Sequence, residues 1–120
     1  MINSTKTTIL NNTITNNGLY GIHIAENNQN TTIDFNNITY NKGFGISAIS
    51  ADYIYITNNF IAYNQNDGSG AGVYVNCNIT KIEIKGNFFK QNGQYGVLND
   101  YRTRNMDAKN GAEKLEINNK

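Results

Sequence analysis

The sequence predicts an all-β solenoid, a right-handed single-stranded parallel β-helix of about four to five coils, and three observations carry that prediction. One spaced phrase returns four times, as Ile9-Leu-Asn-Asn12-Thr-Ile14-Thr-Asn-Asn17, Ile33-Asp-Phe-Asn36-Asn-Ile38-Thr-Tyr-Asn41, Ile56-Thr-Asn-Asn59-Phe-Ile61-Ala-Tyr-Asn64 and Ile84-Lys-Gly-Asn87-Phe-Phe89-Lys-Gln-Asn92. Each copy is followed by a glycine and an apolar residue, in Gly21-Ile22-His23-Ile24, Gly45-Ile46-Ser47-Ala48, Gly72-Val73-Tyr74-Val75 and Gly96-Val97-Leu98-Asn99. Apolar residues also alternate at the period of two that marks strands, as in Ile54-x-Ile56 and Ile82-x-Ile84, and no helical stripe runs beyond one turn. The first Asn advances by 24, 23 and 28 residues and the glycine by 24, 27 and 24, a period in the range of solenoid repeats.

The copies divide a single domain, 1–120, into coils at about 7–30, 31–53, 54–81 and 82–105, with 106–120 as an incomplete coil or tail. If each copy makes one turn, equivalent residues stack about 4.8 Å apart and pair as parallel strands. Ile9, Ile33, Ile56 and Ile84 then form one inward ladder. Ile14, Ile38, Ile61 and Phe89 form a second, and Ile22, Ile46, Val73 and Val97 a third. Each buried isoleucine contributes about 1.5–3 kcal/mol by leaving water, and β-branching suits a pleated wall. Asn12, Asn36, Asn59 and Asn87 stack at one corner, and Asn17, Asn41, Asn64 and Asn92 at another. A carboxamide both donates and accepts, so identical side chains bond along the stack while serving the turn's backbone. Asn also tolerates the left-handed conformation of a sharp corner, which these ladder residues are expected to adopt.

Copy three departs from the spacing. Its glycine follows the second Asn by eight residues instead of four, through Gln65-Asn-Asp-Gly-Ser-Gly-Ala71, so a protruding loop is expected there. Without a following Lys-Ser/Thr it is not a phosphate loop.

Composition excludes several function classes. The net charge is +1 with both signs scattered, so no basic stripe tracks a nucleic-acid backbone. Cys77 is the single cysteine, which rules out an intramolecular disulfide and a cysteine metal cluster. His23 has no second histidine to join it, so no metal or other cofactor is expected. No stretch approaches the ~20 apolar residues of a membrane-spanning helix, and the first residues lack the apolar core of a signal peptide.

The phrase and its trailing Gly-apolar-x-apolar unit resemble the parallel β-helix repeats of the pectate-lyase-like superfamily, particularly the Asn-rich repeats of NosD-like and surface proteins. The resemblance covers residues 7–99. Met106-Asp-Ala-Lys-Asn110-Gly111 also resembles the Asp-Ala-x-Asn-Asn-Trp-Trp-Gly segment that ends some surface repeats, but lacks both tryptophans. The resemblance implies an extracellular or cell-surface setting and a polysaccharide partner. Its members include lyases, hydrolases, epimerases, adhesins and accessory proteins, so it does not select an activity.

An enzyme of this kind needs clustered carboxylates. Aligned on the four copies, Asp34 stacks with Leu10, Thr57 and Lys85, and Glu83 with Thr8, Thr32 and Tyr55, so neighbouring coils carry no carboxylate pair and no catalytic residue is assigned. Arg102 and Arg104 are candidate base or clamp residues, or solvated tail charges. Phe60 and Phe88 occupy equivalent outward positions on adjacent coils. With Tyr74 and Asp67 near the loop, they are the candidates for stacking against and hydrogen bonding to sugar rings, unless the C-terminal tail or a neighbouring subunit covers them.

The leading reading is a non-catalytic β-helix module, structural or carbohydrate-interacting, of a surface or exported protein. The alternative is a pectate-lyase-like polysaccharide lyase or hydrolase. A third reading is a truncated solenoid that self-assembles, because Leu115-Glu-Ile117 matches Ile82-Glu-Ile84 and leaves a coil begun but not completed. Its open ends are expected to take a homo-oligomeric partner or further β-helix coils.

Overall fold

The computed structural model describes residues 4–67, 70–76 and 79–99, and the backbone of 106–110. Cys77, Arg102, Arg104 and the Leu115–Ile117 match lie outside them. Among the described residues the strands are β1 (Thr7–Leu10), β2 (Thr13–Thr15), β3 (Ile22–Ile24), β4 (Gln29–Asp34), β5 (Asn37–Thr39), β6 (Ile46–Ile49), β7 (Asp52–Thr57), β8 (Phe60–Ala62), β9 (Ala71–Asn76), β10 (Ile82–Lys90), β11 (Tyr95–Asn99) and β12 (Met106–Asn110). All pairing is parallel and joins each strand to its equivalent one coil away. One wall runs β1-β4-β7-β10, a second β2-β5-β8-β10 and a third β3-β6-β9-β11. β10 serves two walls because it continues through a corner that the earlier coils break, turning at Gly86 with φ +70°.

The register is that of the sequence ladders. Ile9 pairs with Ile33, Ile33 with Ile56 and Ile56 with Ile84. Ile14, Ile38, Ile61 and Phe89 align on the second wall, and Ile22, Ile46, Val73 and Val97 on the third. Apart from Ile9 and Ile14 in the first coil, which are half-buried, these side chains fill the core, joined by Ile24, Ala48 and Val75 and by Ile54 and Ile82.

Both asparagine ladders form. In the first, the backbone N–H of Asn12, Asn36 and Asn59 each donates to Oδ1 of the next coil's Asn at 2.8 Å. The carboxamide of Asn36 donates forward to Asn59 Oδ1 at 3.1 Å and backward to the Ile9 carbonyl at 2.8 Å. Asn59 does the same toward Asn87 Oδ1 and the Ile33 carbonyl, both at 2.9 Å. Asn17, Asn41, Asn64 and Asn92 repeat this scheme at the second corner. Each interior amide thus bridges three coils, and buried polar groups that would otherwise destabilise the core are satisfied.

The ladder residues do not carry the left-handed turn expected of them. The residue before each does: Asn11, Phe35, Asn58 and Gly86 at one corner, Asn16, Tyr40, Tyr63 and Gln91 at the other, with φ of +48° to +70°. The bend is made one residue early, where the side chain projects from the coil, and the following Asn turns its amide inward.

The recurring glycine has a steric cause. A Cβ on Gly45 would lie 2.7 Å from the Gly72 carbonyl oxygen, 2.9 Å from Asn64 Nδ2 and 2.9 Å from an Ile61 methyl. The ladder amide and the core side chain of the next coil already occupy that space.

The third corner is less regular. Asn28 there is buried and accepts from the Ser4 N–H at 3.2 Å, but its place in the next coil falls to Ala51, so no amide ladder forms. The fifth rung is also phased differently from the sequence match: β12 sets Met106 opposite Ile82 and Asn110 opposite Asn87, and it begins well before Leu115.

Candidate functional site

With the interior filled by ladders, the side chains that differ from coil to coil project from the walls. On the second wall Thr13, Asn37, Phe60 and Phe88 are in register. The Phe60 and Phe88 rings stack with centroids 5.6 Å apart and planes 12° from parallel. They remain 38% and 50% exposed, which makes them a solvent-facing apolar patch.

A second stack lies at the corner just past the same strands, and sequence reasoning missed it. Tyr40 and Tyr63 pack with centroids 4.9 Å apart and planes 14° from parallel, and Lys90 Nζ sits 5.9 Å from the Tyr63 centroid, in cation–π range. The signal was present in the repeat, since both tyrosines immediately precede equivalent ladder asparagines.

The insertion in coil three joins this second stack. Twelve residues separate Ile61 from Val73, where eight separate Ile14 from Ile22, Ile38 from Ile46 and Phe89 from Val97. The added residues leave directly after Tyr63 and Asn64, so the start of the loop stands beside the tyrosines. Asn16, Tyr40, Lys42, Tyr63, Gln65 and Asp67 line an open groove of about 530 Å³ there. Asp67 is exposed, and its N–H donates to the Gln65 carbonyl at 2.8 Å.

Tyr74 belongs elsewhere. It projects from β9 on the third wall and stacks on Phe44 at 4.5 Å, with Phe44 stacked on Tyr20 at 5.7 Å. The structure therefore unites Phe60 with Phe88, places Asp67 by the tyrosines and leaves Tyr74 in a separate aromatic column. His23 lies 5.2 Å from Tyr20 at the first-coil end of that column, and burial holds its imidazole below the usual value.

Two further clefts open beside the first and the fourth coils. One of about 700 Å³ is lined by Ile9, Ile14 and Ile22, the other of about 250 Å³ by Phe89, Asn92 and Gly96. The first opens on apolar ladder residues of the first coil, whereas the second also takes in Asn66, Lys90, Gln91, Gly93 and Tyr95, which belong to no ladder.

The carboxylates need one correction. Asp34 and Glu83 align with Leu10, Thr57 and Lys85 and with Thr32 and Tyr55 as expected, but β12 sets Asp107 opposite Glu83 on the adjacent coil. The four-copy alignment missed that pair because it phased the fifth rung at Leu115. Glu83 is engaged by Lys85 at 2.6 Å. Among the described residues no group of three His, Cys, Asp or Glu side chains is placed to hold a metal ion, and no helix is long and apolar enough to cross a membrane.

Comparison with curated proteins and with solved structures finds no match. A family model described as a right-handed beta helix region matches residues 1–112. The parallel coils, the in-register ladders and this match over nearly the whole sequence together make the chain a structural β-helix module that belongs to the right-handed β-helix family.

Proposed function

We propose that this β-helix is a non-catalytic, polysaccharide-interacting module of a surface or exported protein, with the second wall as its contact face. The observation that carries the reading is the solvent-facing aromatic pair Phe60–Phe88 on a scaffold locked by hydrogen bonds from coil to coil. A phenyl face carries partial negative charge and attracts the polarised C–H bonds of a pyranose. A rigid wall presents it without an ordering cost on binding. The test is a glycan array with the wild-type chain and a Phe60→Ala/Phe88→Ala variant. Specific binding by the wild type and loss in the variant support the reading, whereas equal binding by both removes this wall from it. Calcium-dependent release of unsaturated sugars by the same sample would replace it with the pectate-lyase-like alternative.

End-on association is a second reading, favoured by the first coil. Among the described residues no strand lies beyond β1, β2 and β3, and the cleft lined by Ile9, Ile14 and Ile22 leaves apolar ladder residues open. An unpaired edge above an apolar face is a template for another coil or a second copy. Sedimentation equilibrium decides it: mass that grows with concentration supports association, and a concentration-independent monomer contradicts it.

A further inference from the structure

We propose that the groove beside Tyr40 and Tyr63 is a subsite for a neutral pyranose of a glycan chain. The proposal rests on the polysaccharide reading above and adds to it a location and a ligand class.

Ring faces decide the location. A stacked pair spends one face of each ring on the other, so only the two outer faces remain. At Tyr63 the adjoining cation is Lys90, 5.9 Å from the ring centroid. At Tyr40 the outer face looks toward the first coil, where the equivalent position is Asn16, whose short side chain does not span a phenol ring. Tyr40 is 57% exposed, and both it and Asn16 line the groove. The wall therefore lacks one aromatic rung at the place where a sugar ring fits over Tyr40.

The surrounding groups supply what a sugar's hydroxyls need. Hydroxyls both donate and accept, and the carboxamide of Asn16, the ammonium of Lys42 and the carboxylate of Asp67 stand around the aromatic floor. The loop residues occur only in coil three, and the tyrosines only in coils two and three, so the site exists once in the repeat.

Charge decides the class. Lys42 and Asp67 are the ionic side chains in the lining, one of each sign. A uronate or sulfate meets attraction and repulsion together, whereas a neutral ring uses both groups as hydrogen-bonding partners. Binding of a neutral ligand is then insensitive to salt, unlike that of a polyanion.

Calorimetric titration of the full chain with cellopentaose, mannopentaose and pentagalacturonate tests this. The diagnostic variant is Tyr40→Asn, since Asn16 already occupies the equivalent corner with φ +59° against +55° at Tyr40, so the backbone accepts the change. A neutral pentaose is expected to bind the wild type equally at low and high salt, and Tyr40→Asn to weaken it roughly tenfold with melting nearly unchanged. A neutral pentaose lost in Phe88→Ala but unaffected by Tyr40→Asn overturns the groove while leaving the wall reading intact. Salt-sensitive binding of pentagalacturonate alone overturns the neutral class. If none of the three binds the wild type the proposal fails, and the glycan array separately decides the broader reading.

Discussion

Tyr40 and Asn41 are neighbours in the chain with opposite roles. Asn41 is 2% exposed and donates to Asn64 Oδ1 in the coil after it and to the Ile14 carbonyl in the coil before it. Its column reads Asn17, Asn41, Asn64, Asn92 without change. Tyr40 projects into solvent, and its column reads Asn16, Tyr40, Tyr63, Gln91. A side chain that must bond to copies of itself in two directions has no freedom to differ. One that turns outward from a left-handed corner is constrained only by its backbone, and that corner disfavours a bulky residue by roughly 1–2 kcal/mol. Stacking of the two tyrosines returns about 0.5–1.5 kcal/mol. Individuality in this protein therefore resides in the side chains that project outward and uniformity in those that turn inward.

The comparison breaks most severely in mid-ladder. Asn59→Ala leaves the buried Asn36 N–H without its side-chain acceptor, removes one donor from the Ile33 carbonyl and strips one acceptor from the Asn36 amide. At about 1–3 kcal/mol for each buried group, a loss of about 4 kcal/mol is expected in chemical denaturation. Asn12→Ala at the exposed end of the same ladder is expected to cost about 1 kcal/mol, because its amide bonds there are partly solvated.

The glycine column is next. Gly45→Ala forces a methyl group against the Gly72 carbonyl and the Asn64 amide and is expected to destabilise by about 1–3 kcal/mol. Equal melting of variant and wild type would mean that the coils separate more easily than the ladder implies.

On the wall, Phe88→Ala removes a half-exposed ring and its stack, so a loss of about 1 kcal/mol or less is expected in the same denaturation experiment. An effect as large as that of Asn59→Ala would erase the distinction between outward and inward side chains.

The smallest effect is that of His23. Its imidazole is held below the ordinary value by burial, so the unfolded chain takes up the proton first as pH falls. Stability from this group is complete above about pH 6.5 and is lost as pH drops through the lowered native value. His23→Asn should flatten that part of the melting profile between pH 7.5 and 5, and an unchanged profile would remove His23 as its source.

What was legible in the sequence follows the same division. The three apolar ladders and both Asn columns were readable because a residue that stacks on its equivalents must recur at the period. Phe60 and Phe88 were readable for the same reason, being identical neighbours. The Tyr40–Tyr63 stack escaped because half of its column is Asn and Gln, and its importance came from a loop whose direction spacing alone does not give. Tyr74, three residues past the loop, shares the outward column of His23, Ser47 and Leu98 on the third wall and so stands apart from the tyrosine stack. The turn was assigned to the ladder Asn because that residue type suits a left-handed corner, yet a Phe and two Tyr make the turn so that the amide can face inward. The incomplete coil was begun at 106, but its match was set at Leu115 because Leu115 and Ile117 echo Ile82 and Ile84 more strongly than Met106 and Ala108 do.

The central claim is that side-chain amides lock one coil to the next. Hydrogen exchange at the backbone amides of Asn36, Asn41, Asn59 and Asn64 tests it most directly, because each of these N–H groups donates to a side-chain oxygen of the following coil. Protection as strong as that of the N–H groups paired within β4 and β7, lost only on global unfolding, is the expected result. Exchange at the rate of unprotected amides, with the strands still protected, would contradict it.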